Sequence, residues 1–436
     1  MAETSKKPLE QIPPLAPPPP ANLPAPEPAP ASPAPAQAAA TQFNPATASE
    51  LSPARANSDS IDRMLTEAVA LGASDLHLRM HIPPMIRING TIRPLPNWPA
   101  LSEPMIRELF APLLSKKDSQ IYAEERSIDT SYGIKGVARF RVALFFQQNM
   151  FGGVLRQIPE DIPTLEDLKA PRILREFADM PRGLVLITGP TGSGKSTTLA
   201  AIVDHINRNR HDHILTIEDP VEFVHQPKQC IVNHREVGRD TPSFAKGLKD
   251  ALRQDPDVIL VGEMRDYETI SLGLTAAETG HLVFATLHTS SAPSSIDRLV
   301  GAIPAGEQAQ ARMMLAGSLV GIVTQTLMPT IDGKGRIAAH EILVANNAVR
   351  AMIRREKTVG MRNELQTKID EGMQTLDRAL AYYVSIGQIS EDEARRKSQE
   401  LSEFDNSMVA IREGRGIKPP DLLGDDLAEA QSTVDK

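Results

Sequence analysis

The sequence predicts an α/β fold: a parallel sheet with helices on its faces, preceded by a smaller α+β domain and followed by helices. Three observations carry this. From Gly183 onward, apolar runs at 184–187, 214–217, 258–261 and 282–286 alternate with helical stretches, which is the pattern of βαβ units. A glycine-rich turn, Gly189-Pro190-Thr191-Gly192-Ser193-Gly194-Lys195-Ser196, joins the first run to a helix-forming stretch, Thr197-Thr198-Leu199-Ala200-Ala201-Ile202-Val203. Upstream, residues 58–160 combine one helical repeat with several strand-period segments.

Residues 1–55 are rich in Pro and Ala. They carry too little apolar area to offset the entropy of ordering, so a disordered tail with polyproline II stretches is expected. Residues 56–160 are expected to form the α+β domain. Ile61, Met64, Leu65, Ala68 and Val69 recur at helical spacing, with Ser60 as a possible N-cap and Gly72 past the end. Leu76 and Leu78 alternate with Asp75, His77 and Arg79, which is strand period. Ile86 and Ile88 lead through Asn89-Gly90 to Thr91-Ile92, a hairpin signal. Further strands are expected over 137–142 and 154–156. Residues 161–390 hold the parallel sheet, and from about 305 the chain reads as mostly helix, including Leu319-Val320 and Ile322-Val323. Residues 391–436 read as a helical end and, from Gly414, a loose tail with more acids than bases.

Composition excludes several classes. The length of 436 residues suits roughly two or three domains. A net charge of −8 and 4% aromatic residues argue against a nucleic-acid groove lined with stacking rings. The lone Cys230 excludes a disulfide framework or a cysteine zinc cluster, and is expected to pack as a small apolar group in or near a strand. No apolar run approaches the ~18 residues of a membrane span. The start has no apolar signal-peptide core, so an intracellular chain without a transmembrane segment is expected.

The turn at 189–196 reads G-x-x-x-x-G-K-S, the phosphate-binding loop of nucleoside triphosphatases. Glycines let successive N–H groups turn inward around phosphate oxygens, and the helix opening at Thr197 adds its dipole. Lys195 would reach the β- and γ-phosphates of ATP, and the Ser196 hydroxyl would ligate Mg²⁺. A dinucleotide fingerprint would need glycine at Thr197. Val258-Ile259-Leu260-Val261-Gly262-Glu263 is an apolar strand ending in an acid. It is expected beside the loop-bearing strand, with Glu263 orienting or deprotonating the attacking water. Glu218, Asp219 and Glu222 follow a second apolar run, where parallel sheets bind ligands. They could hold Mg²⁺ waters or help activate the nucleophile. His281 and His288 bracket a third strand, and His288 could bond a phosphate or an acid. Arg139 and Arg141 are two apart on a strand and share a face. With Arg156 they are candidates for arginine fingers.

Together these stretches resemble the secretion-type hexameric ATPases, and more narrowly the type IV pilus retraction ATPases. The likeness covers about 58–390. It is carried by 73–78, 83–87, 138–141, the acidic box 217–223, the Walker B region 252–266 and the histidine box 279–289. Residues 348–356 and 372–377 resemble retraction signatures, with Ala351 and Met352 departing from the commonest form. Extension and type II secretion relatives usually carry a four-cysteine insert; here 325–341 runs through without cysteine. The resemblance implies a RecA-like core, a PAS-like first domain and a homohexamer binding ATP and Mg²⁺ between its two domains. It also implies a location at the inner face of the inner membrane, acting on a pilus platform protein. An extension or secretion ATPase, a nucleic-acid motor and a non-catalytic regulatory subunit are the alternatives.

Overall fold

The computed structural model describes residues 58–414, apart from 89, 159, 160 and 334, together with 422 and 423. The tail expected over 1–55 lies outside them, as does most of the segment after Gly414.

The first domain is one antiparallel sheet with helices on one face. Helix α1 (Ser58–Ala70) leads into β1 (Asp75–Arg79) and the hairpin β2 (Met85–Ile88) and β3 (Thr91–Pro94). Helices α2 (Glu103–Phe110) and α3 (Lys116–Glu125) precede β4 (Ser127–Ile134), β5 (Ala138–Gln147) and β6 (Met150–Ile158). The strand order is β3-β2-β1-β6-β5-β4. Alternation sorts the faces. Leu76, Leu78, Ile86, Phe140, Val142, Leu144 and Leu155 pack with Ile61, Leu65, Phe110 and Tyr122 from the helices. The other face carries a polar row set by register: Arg87 opposite Asp75, Asp75 opposite Arg156, Arg156 opposite Arg141, and Arg141 opposite Ser131.

The second sheet runs β13-β12-β7-β11-β10-β8-β9. Its strands are β7 (Gly183–Thr188), β8 (His213–Glu218), β9 (Ile231–Glu236), β10 (Val258–Val261), β11 (Leu282–Leu287), β12 (Leu319–Pro329) and β13 (Arg336–Val344). All neighbours are parallel except β12 and β13. Every residue of β7, β10 and β11 is buried, as expected of central strands covered on both faces. Helices α4 (Ile173–Ala178), α5 (Lys195–Asn209), α6 (Phe244–Ala251), α7 (Tyr267–Glu278), α8 (Ala292–Gly301) and α9 (Gln308–Ser318) cover them. Side-chain caps start α6 and α7: Ser243 accepts from the Lys246 amide and Asp266 from the Thr269 amide. Cys230 is buried one residue before β9. Further helices run from Asn347–Arg354 to Leu401–Arg412. Among the described residues, no helix is long and apolar enough to cross a membrane.

Three expectations need correction. Residues 319–323 are strand, not helix: β12 pairs with β7 on one side and β13 on the other. A short apolar run fits either period, and the open edge of β7 decides it. Strand β10 is not beside β7, because β11 lies between them. The end of the chain is not wholly loose: Leu423 is buried, its amide donates to Ala170 O at 2.9 Å, and Leu422 bridges Pro171.

Candidate active site

The carboxyl ends of β7, β8, β10 and β11 gather at one edge of the core sheet, which is where parallel sheets bind ligands. The loop after β7 has the shape of a phosphate cradle. Gly189 and Gly194 take φ of 141° and 90°, a region that side-chain residues rarely adopt. A Cβ at Gly189 would lie 2.3 Å from Gln325 O, and one at Gly194 would lie 2.7 Å from Gln325 Nε2. Pro190, Thr191 and Gly192 form the exposed rim of the loop. The Ser193 hydroxyl is buried without a hydrogen-bond partner. Ser196 and Thr197 stand half-buried in the first turn of α5, beside Lys195. The orphaned hydroxyl, the bare glycine turn and the helix N-terminus together fit an anionic polyphosphate. A cavity of about 920 Å³ opens beside the loop, lined among others by Gly194, Thr197, Leu327 and Ile337.

Lys195 is buried, and its ammonium donates to Gly189 O at 2.9 Å and Pro190 O at 3.1 Å. Burial lowers its pKa, while the negative charges of Glu263 and Glu222 act in the opposite sense. Those two acids therefore share the electrostatic field of the loop. Glu263 follows β10 and is held by Arg265 at 2.7 Å and His288 at 3.4 Å. Burial works to raise the Glu263 pKa, but the Arg265 bond and the His288 and Arg265 charges outweigh it, so the carboxyl lies below its ordinary range. It is thus an ionised acceptor at neutral pH.

Glu218 ends β8, and its Oε2 accepts from the Glu222 amide at 3.2 Å. Asp219 is exposed, with its charge in reach of Arg265. Glu222 keeps solvent access, yet crowding by protein costs its charge hydration. That effect, with the Glu218 charge, outweighs Arg141, Arg156 and Lys195 and raises its pKa. Arg141 and Arg156 thus act on Glu222 of their own chain from the polar face of the first sheet. Arg156 also donates to Asp75 Oδ1 at 2.7 Å. Arg139 is engaged elsewhere: its Nη2 donates to Glu236 at 2.9 Å and to Ser131 at 3.1 Å. His281 lies at the opposite end of β11 from His288, with Nδ1 2.9 Å from Ala276 O, so it does not join the cluster.

A family model for type II/IV secretion system proteins matches residues 164–334. The type IV pilus retraction ATPase PilT of Pseudomonas aeruginosa is 50% identical over 339 residues, 78% of this chain and 98% of that protein. A twitching motility protein of Neisseria gonorrhoeae is 50% identical over 316 residues, 72% of this chain and 84% of its own. The crystal structure of the pilus retraction motor PilT with bound ADP matches with a TM-score of 0.73 at 44% identity, over 78% of this chain and 97% of that one.

This chain belongs to the type IV pilus retraction ATPases. As such it is an ATPase with a nucleotide-binding RecA-like core. Sequence reading missed one residue that shapes this retraction ATPase's loop. Gln325 of β12 is buried, donates from Nε2 to Ser193 O at 2.8 Å and accepts at Oε1 from Thr198 Oγ1 at 2.9 Å. Its only signal was a polar Thr324-Gln325-Thr326 set between apolar Ile322-Val323 and Leu327-Met328. Arg265, two residues beyond Glu263, was also missed, although a cation so near a strand-end acid could have flagged it.

Proposed function

We propose that this chain is the ATP-hydrolysing motor of type IV pilus retraction, working as a homohexamer on a pilus platform protein at the inner face of the inner membrane. The carrying observation is that Lys195 is buried in a glycine turn, on Gly189 O and Pro190 O, in a chain 50% identical to a retraction ATPase.

The glycine amides of the turn, Gly192 and Gly194 among them, can face the phosphates of ATP, and Lys195 supplies positive charge. Ser196 is the protein oxygen for Mg²⁺, which when bound would neutralise phosphate charge. Among the described residues, no group of three or more His, Cys, Asp or Glu could hold a metal, so Ser196 is the protein oxygen that would hold Mg²⁺ here. Glu263, kept ionised by Arg265 and His288, orients and deprotonates the attacking water. Glu218, Asp219 and Glu222 shape the field around it. Arg141 and Arg156 answer from the first domain, so a change of charge at the loop alters how the two domains attract. Repeated around a ring, that change becomes a mechanical stroke.

Glu263→Gln is expected to bind ATP normally while turnover falls about 10²–10³-fold, read as phosphate release. Wild-type turnover would remove Glu263 from the mechanism. Cells lacking the protein should carry abundant surface pili; bald cells would favour an extension motor.

A further inference from the structure

The segment between β8 and β9, residues 219–230, carries Glu222 yet contains no helix or strand. Its amides must find partners outside a ladder. Two are taken by side chains of β9 that share one face of that strand. The His225 amide donates to His234 Nε2 at 3.0 Å, and the Val221 amide donates to Glu236 Oε2 at 3.3 Å. Glu236 is buried, and its carboxylate has capacity to spare. The same Oε2 accepts from Arg139 Nη2 at 2.9 Å, and Oε1 accepts from Ser131 Oγ at 3.3 Å. Arg139 and Ser131 lie on β5 and β4 of the first domain. One buried carboxylate therefore touches both the Glu222 loop and the first domain.

We propose that Glu236 is a positioning residue for hydrolysis: it ties the place of Arg139 to the place of the Glu222 loop. Arg139 then works as an interdomain latch and not as a phosphate sensor. A buried carboxylate follows its guanidinium, because losing that partner leaves a charge stranded away from water. When β5 shifts against the core, Glu236 shifts with Arg139 and draws the Val221 amide, one residue from Glu222. The Glu222 charge also acts on Lys195, after that of Glu263. The chain Arg139–Glu236–Val221–Glu222–Lys195 thus links domain rotation to the field at the phosphate loop. This inference rests on the reading of Glu222 as an acid of the ATP site.

The test is steady-state ATPase kinetics on the full chain, with thermal unfolding confirming that each variant folds. Glu236→Gln keeps an acceptor for Val221 and removes the charge that holds Arg139. Glu236→Gln and Arg139→Gln should each lower kcat about tenfold with KM for ATP within about twofold, and the double variant should be no slower than the slower single. Glu236→Gln should add nothing to Glu222→Gln. Losses that multiply in either pair, or wild-type kcat in Glu236→Gln, overturn the proposal. Should Glu236→Gln fail to fold, Arg139→Gln combined with Glu222→Gln tests the same link: non-multiplying losses support the latch, and multiplying losses overturn it. Full turnover in Glu222→Gln sinks the reading of the site itself; slow Glu222→Gln beside fast Glu236→Gln sinks only the latch.

Discussion

Replacing Gln325 by leucine keeps side-chain volume but removes two hydrogen bonds that brace the phosphate loop from β12. Ser193 O loses the donor at 2.8 Å, and the Thr198 hydroxyl loses the acceptor at 2.9 Å. Gln325 is 3% exposed, so water does not readily replace it. Leaving a buried polar group unpaired costs about 1–3 kcal/mol each, so the pair costs about 2–4 kcal/mol once leucine's better transfer is set against it. At about 1.4 kcal/mol per tenfold, loss of order in the loop should weaken ATP binding about 30-fold or more. Thr198→Val removes only one of the bonds and should cost about half as much in free energy. Titration with a fluorescent ATP analogue reads the affinity, and thermal unfolding reads the remainder. If Gln325→Leu binds within about twofold of wild type and melts at the same temperature, then Gln325 does not brace the loop, and the reasoning fails.

Two further predictions follow from protonation. Arg265→Gln removes the main pull that holds the Glu263 carboxyl low while burial still pushes it up. The acid limb of the kcat–pH profile should therefore move to higher pH, and an unmoved limb would separate Arg265 from the base. Glu341 is buried on β13, accepts from the Ala292 amide, and is pushed up to about 7 chiefly by burial. Between the ordinary carboxyl range and about pH 7, the unfolded chain is ionised while the folded one keeps its proton, so stability falls as pH rises through that window. Glu341→Gln removes this loss, worth of order 3 kcal/mol. Its melting temperature should gain on wild type at pH 8 and not at pH 5, and an equal difference at both would refute the assignment.

The legible parts were those with local causes. The hairpin around Gly90, the four apolar runs and the glycine turn each follow from residue type within a short window, and each takes the backbone form expected of it, although the place of β10 in the sheet does not follow. Glu263 could be singled out as a candidate because an acid ending an apolar strand is a local pattern. Strand β12 was not, because Leu319 to Val323 satisfy both periods and only pairing with β7 chooses between them. His281 and His288 look symmetric in the sequence, but a strand has two ends and only one is at the rim.

Chain-local chemistry by itself pointed to a phosphate-binding turn, because the glycines, a lysine and a hydroxyl are supplied by consecutive residues. Tertiary structure alone decided which distant groups complete the site. Gln325 lies far along the chain from the loop it braces, and Glu236 meets Arg139 only because two domains pack together. Such pairings depend on the order of strands in a sheet and on domain contact, and neither leaves a periodic trace in the residues that make it.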